Sequence, residues 1–189
     1  MSWLEIIASA LGLVCVWLTI RRHIGCWPTG LAMVILYIFI FYRAKLYSDM
    51  LLQVVYVPLQ IYGWYAWLRG GPDRTPLVVS RLPAWQFGLW LVAGAGPAHW
   101  LGHTMDTRTD AAFPYIDAIA TIASLIAQWL MGRKVLESWL VWIFVDVLSI
   151  GLYLAKELYP TAILYCVLLI LATWGWFEWK GVWKKQATA

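Results

Sequence analysis

The stretch Tyr62-Gly63-Trp64-Tyr65-Ala66-Trp67, "YGWYAW", returns near the end of the chain as Trp174-Gly175-Trp176-Phe177-Glu178-Trp179, "WGWFEW". The segments leading into the two also match. "YRAKLYSDMLLQVVYVPLQIYGWYAW" from Tyr42 aligns with "YLAKELYPTAILYCVLLILATWGWFEW" from Tyr153 when one residue is inserted in the second. Tyr42/Tyr153, Ala44/Ala155, Lys45/Lys156, Tyr47/Tyr159, Gly63/Gly175, Trp64/Trp176 and Trp67/Trp179 then coincide. Two apolar helices can look alike by chance, but matched loop residues, helix start and terminal motif together point to a duplicated unit.

The medium for that unit follows from composition. Of 189 residues, 62% are hydrophobic and 13% charged, and the mean hydropathy is +0.70, far from the mix of a soluble domain. A helix crosses the hydrocarbon core with roughly 20 mostly apolar residues. Seven such runs are expected: Trp3–Ile20, Ile24–Tyr42, Ser48–Leu68, Pro83–Leu101, Ala112–Met131, Leu136–Leu154 and Pro160–Trp179. The first lacks a basic leader and a small-residue cleavage site, so it reads as a mature helix. Repeats at the third and seventh helices lie four crossings apart and therefore run the same way. The expected fold is an all-α membrane bundle of seven helices in 3+1+3 parallel repeats, the SWEET-like plan. It forms one transmembrane domain over residues 1–189, with triple-helix units at 3–69 and 112–179 and a linking helix at 83–103.

Loop charges give an orientation. Arg21, Arg22, Arg69, Arg74, Arg81, Arg133, Lys134, Lys180, Lys184 and Lys185 fall on one side, against Arg43, Lys45, Arg108 and Lys156 on the other. The larger set marks the cytoplasm, which places the N-terminus outside the cell (inner) membrane and the C-terminus inside. The net charge of +4 is thus a topology signal; the basic stripe that nucleic-acid binding needs is not there. Cys15, Cys26 and Cys166 are odd in number and suggest neither a disulfide framework nor a metal site. Neither metal nor cofactor is expected.

Polar residues inside spans must face a cavity or one another. At helical spacing, Asp49, Gln53, Tyr56, Gln60, Trp64 and Trp67 share a stripe on the third helix; Asp117, Thr121, Ser124 and Gln128 on the fifth; and Trp139, Trp142, Asp146, Ser149 and Tyr153 on the sixth. Any single Ser, Thr or Gln here is equally well explained as interhelical glue. Gln53, Gln60, Gln128 and Asp146 as a set point to a solute path. Asp146 lies mid-helix, where an ionised carboxylate costs ~2.5–3.5 kcal/mol. A cationic planar solute against the faces of Trp139 and Trp142 would offset that cost; Trp139, close to its helix start, could instead be an interfacial anchor, whereas Trp142 sits deeper and is the safer site residue. Pro58 lies mid-helix beside the polar stripe and is expected to kink it.

These residues also carry a resemblance. "WPTGLAMVILYIFIFYRAKLYSDMLLQVVYVPLQIYGWYAW" and "RKVLESWLVWIFVDVLSIGLY" resemble the PnuC family of vitamin transporters, in the Leu-Leu-Gln to Tyr-Gly-Trp-Tyr-x-Trp segment and in Arg-Lys-x-x-Glu-x-Trp-x-x-Trp. The likeness runs from Trp27 to Trp179. It implies a seven-helix SWEET-like bundle with the N-terminus outside, assembled as a homotrimer. It also implies uniport of nicotinamide riboside, or of thiamine or another vitamin in some members, with cytoplasmic phosphorylation trapping the cargo. By the same resemblance Trp139 and Trp142 match the aromatic pair that packs on the substrate, and Gln53 matches the family's helix-three glutamine. Some carriers of this kind have Asn where Asp146 stands.

The expected substrate-binding set is therefore Trp139, Trp142, Asp146, Gln53, Gln60, Gln128, Tyr56, Ser124 and Tyr153. Catalysis is the competing class: His99 and His103, with Asp106 and Asp110, have metal-ligand spacing. Two histidines leave that site incomplete, no P-loop is present, and no mid-span lysine offers a Schiff base. An enzyme is not expected.

Overall fold

The computed structural model describes residues 3–45, 47–109 and 112–188. Among them seven α-helices follow one another: α1 Trp3–Ile20, α2 Cys26–Arg43, α3 Tyr47–Arg69, α4 Ala84–Arg108, α5 Pro114–Gly132, α6 Ser138–Ala155 and α7 Tyr159–Ala187, with a short 3₁₀ turn at Pro72–Arg74. Helices α1, α2, α5, α6 and α7 are long and apolar enough to cross a bilayer. Polar or weakly apolar residues dilute α3 (Asp49, Gln53, Gln60) and α4 (four glycines and two histidines) below that mark. Val92, Ile163 and Ile170 keep more than three fifths of their surface open, as lipid-facing side chains do.

Helices outlast the apolar runs in two places. α4 continues to Arg108 and α7 to Ala187, because backbone hydrogen bonding does not stop where hydropathy does. α3 runs unbroken through Pro58.

Four helices turn out of their last residues through a left-handed position that is not glycine. Arg22, Lys45, Lys134 and Glu157 take left-handed φ values of 57°, 58°, 56° and 57°. At three of these ends the following amide reaches back five residues, His23 to the Leu18 carbonyl, Val135 to Leu130 and Leu158 to Tyr153. That is the Schellman closure, made with charged residues at a cost of ~1–2 kcal/mol each.

The chain forms two compact units, described by themselves. The first comprises Met1–Val78 with Gly132–Lys134, and the second Val79–Met131 with Val135–Ala189, so α4 belongs with α5–α7. In the first unit α2 touches both α1 and α3. Trp27, at the start of α2, sets its ring against Gly63 of α3, where a Cβ would overlap it, and meets Trp67 edge to face at 5.3 Å and 83°. In the second unit α6 packs on α7. Trp139, at the start of α6, lies over Gly175 and meets Trp179 edge to face at 5.5 Å and 87°.

The two triads are the same device, and the offset carrying Trp27 onto Trp139 also carries Gly63 onto Gly175 and Trp67 onto Trp179. It carries α2 onto α6 at both ends, and Arg22 and Lys45 onto Lys134 and Glu157. The inserted residue in the alignment above is therefore not needed: Lys45 corresponds to Glu157, its partner in turn geometry, and not to Lys156.

Candidate functional site

The second unit supplies most of the expected residues. On α6, Trp139 is 2% exposed and Asp146 3%; Trp142 and Tyr153 are half-buried. Trp142 packs against the apolar cluster of Ala127, Leu130, Val135 and Val141. Tyr153 stacks on Tyr165 of α7 at 5.3 Å. On α5, Ser124 is buried and its Oγ donates to the Thr121 carbonyl at 2.8 Å. Gln128 is buried one turn further on. Among the described residues neither Gln128 nor Asp146 makes a hydrogen bond or ion pair. A buried polar group in that state is costly unless something outside the protein satisfies it.

Asp117 does not share that condition, although it lies on the same α5 stripe. Its Oδ2 takes the Lys156 ammonium at 2.9 Å, with about a quarter of each side chain exposed. A pair that open is worth ~0–1 kcal/mol. Asp117→Asn is expected to leave uptake, and its dependence on acid, within about twofold of wild type, measured in proteoliposomes; a larger loss would return Asp117 to the solute path.

The first unit supplies α3. Gln53 and Tyr56 are half-buried, and Gln60 is 6% exposed. Gln60 lies against Gly30 of α2, where a Cβ would come within 2.6 Å of its Nε2, with Cys15 of α1 on the same spot. Like Gln128, neither Gln53 nor Gln60 is hydrogen-bonded among the described residues. Trp64 points out, 37% exposed, while Trp67 is buried, so the α3 stripe of the sequence divides between two environments.

The polar residues also break the recurrence between units. By the offset that superposes the tryptophan triads, Asp146 corresponds to Val34 and Gln60 to Ala172, both buried. The tryptophan triad recurs while Asp146 and Gln60 have no polar counterpart; Asp117 has one, in Glu5.

A family model described as "Nicotinamide mononucleotide transporter" matches residues 2–181. The chain belongs to this transporter family. The nicotinamide riboside transporter PnuC of Escherichia coli is 29% identical, over 95% of this chain and 85% of that one. The riboflavin/roseoflavin transporter RibM of Streptomyces davaonensis is 25% identical, over 94% and 84%. A crystal structure of the vitamin B3 transporter PnuC matches with a TM-score of 0.78 and 27% identity, covering 97% of this chain and 83% of that one. The chain is thus a multi-pass membrane protein of the PnuC kind, as its motifs indicated.

In this family member, the Arg-Lys-x-x-Glu-x-Trp segment holds more than the aromatic pair. Lys134 is buried; its Nζ donates to the Leu77 carbonyl at 2.8 Å and lies 4.4 Å from the Trp67 ring centroid. Burial, with the Arg22 guanidinium nearby, pushes its ammonium below the usual lysine range. Glu137 is buried too, with both carboxylate oxygens engaged. Both residues stood in the quoted motif, but a charge next to a helix start reads as a loop residue until its partners are known. The His99 ring lies tilted at 35° to that of Tyr115, 5.9 Å away, and among the described residues no three His, Cys, Asp or Glu converge on a metal position; Asp110 lies outside the described residues.

Proposed function

We propose that this transporter carries nicotinamide riboside into the cell by facilitated diffusion. Gln60, Gln128 and Asp146, buried and without a protein partner among the described residues, carry this reading, because groups of that kind are retained where a solute replaces water on them. The PnuC relatives support the choice of cargo. Asp146 balances the permanent positive charge of the nicotinamide ring. Trp142 offers a ring face beside it, with Trp139 completing the aromatic pair, and Gln53, Tyr56, Ser124 and Tyr153 border the path. All seven helices span the inner membrane as two parallel triplets joined by α4, with the N-terminus outside, in a homotrimer. The triplets rock about the cargo in alternating access, and phosphorylation in the cytoplasm traps it. No cofactor takes part, and the chain is a carrier and not an enzyme.

Thiamine is the second reading, favoured by the same carboxylate, since its thiazolium is also a fixed cation on a planar ring. Titrating nicotinamide riboside and thiamine against intrinsic tryptophan fluorescence in detergent separates them. Nicotinamide riboside is expected to quench saturably, with affinity about tenfold weaker in Trp142→Phe, the scale of one lost aromatic contact. Quenching by thiamine alone would replace the cargo; a flat response to both would remove the proposal.

A further inference from the structure

The segment entering α4 runs extended beside the turn before α6. Ser80 pairs with Val135 in a parallel bridge, and the Leu136 amide donates to the Ser80 carbonyl at 2.9 Å. Glu137 completes the hold. One carboxylate oxygen takes the Arg81 Nε–H at 3.0 Å and the other the Leu82 amide at 2.9 Å. Arg81 in turn lies 5.1 Å from the ring centroid of Trp183, on the last turns of α7. The Glu137 side chain is 5% exposed and that of Arg81 47%, so both oxygens of a buried carboxylate are taken up by the neighbouring segment. The hydrogen bond from the Leu82 amide to the buried carboxylate is charge-assisted and of the strong kind; the Arg81 contact, half open to solvent, adds less. At the matching turn ahead of α2, Gly25 stands where Glu137 stands and has no side chain to grip with.

We infer that Glu137 is a positioning residue for transport: it fastens the first turn of α6 to the extended segment before α4 and, through Arg81, to the end of α7, so that Trp139, Trp142 and Asp146 move with those elements as one body. The inference rests on the transport reading above. A carrier that rocks needs rigid parts as well as hinges. Here the second unit has a fastening that the first lacks at the equivalent turn.

Two readouts test it, one independent of any cargo. In hydrogen exchange on the full chain in detergent, Glu137→Ala is expected to speed exchange at Leu82, Leu136 and the first turn of α6 about tenfold, with Glu137→Gln intermediate. In proteoliposomes, normalised to the carrier that still binds cargo saturably, the maximal uptake rate is expected to fall about tenfold in Glu137→Ala and about threefold in Arg81→Ala, while the half-saturating concentration stays within about twofold. A residue serving fold alone would lower the number of competent carriers and leave the rate of each at the wild-type value. Should Glu137→Ala fail to fold, Arg81→Ala, altered at a half-exposed side chain, carries the test. Unchanged exchange, wild-type uptake, or rate and affinity falling together would overturn the inference. If the wild type takes up neither vitamin, the transport reading falls instead, and the exchange result alone decides whether Glu137 fastens the segment.

Discussion

Asp146→Leu is expected to make the protein more stable and nearly inactive at once. The carboxylate is buried and unpartnered among the described residues, so the fold bears its desolvation with no return. Leucine removes that burden and adds apolar surface to an α6 already built from Val, Ile and Leu. A gain of ~1–3 kcal/mol is expected, or about 2–4 °C in melting temperature per kcal/mol for a chain of this length. Uptake should fall about a hundredfold or more, because truncating one member of a desolvated charge pair costs ~2–5 kcal/mol. Asp146→Asn separates charge from shape: it should weaken a cationic vitamin about tenfold and leave an uncharged analogue of the same outline unchanged. Thermal unfolding in detergent and radiolabelled uptake check both arms. A destabilised Asp146→Leu would mean that the carboxylate holds the fold; wild-type uptake in that variant would end its role in transport.

The second large effect is steric. A Cβ on Gly175 would lie 2.6 Å from the Trp139 ring, and one on Gly63 would overlap the Trp27 ring outright. Neither ring has room to retreat, since each is 2% exposed and held edge to face by a second indole. Overpacking of this kind costs ~1–3 kcal/mol and often more. Gly175→Ala and Gly63→Ala are expected to lower the melting temperature by about 5 °C or beyond, or to abolish folding. Gly151→Ala and Gly181→Ala, where nothing stands within 4 Å, should shift it by less than about 1 °C and toward stability, as alanine suits a helix better. Trp139→Phe, which trims the ring that the new methyl strikes, should recover part of the loss in Gly175→Ala. Equal melting temperatures for Gly175→Ala and Gly151→Ala would show that the aromatic and glycine contact is slack.

How much of this was open to a reader of the sequence differs from element to element. The helices were legible because bilayer-length apolar runs announce themselves; α1, Trp3–Ile20, matches its run at both ends. The Gly-Trp-aromatic-x-Trp repeat marked the right glycines, but its register slipped by one residue at the turn. The left-handed positions are Arg22, Lys45, Lys134 and Glu157, and nothing in a lysine or glutamate signals positive φ as a glycine would. The polar stripes were drawn from helical period alone. That placed Gln60, Gln128 and Asp146 inside, yet could not separate Asp117, satisfied by Lys156, from residues left without a partner. Glu137 reads as a loop charge within its motif, because its partners Arg81 and Leu82 lie more than fifty residues earlier.

The paired indoles have a consequence for spectroscopy. Two such chromophores at 5.3 Å in one unit and 5.5 Å in the other lie close enough to share their excited states. Each unit thus carries its own optical couplet in circular dichroism, set by the angle between the rings. Trp67→Phe would silence one couplet and Trp179→Phe the other, leaving a label-free gauge of either half of the chain while it works.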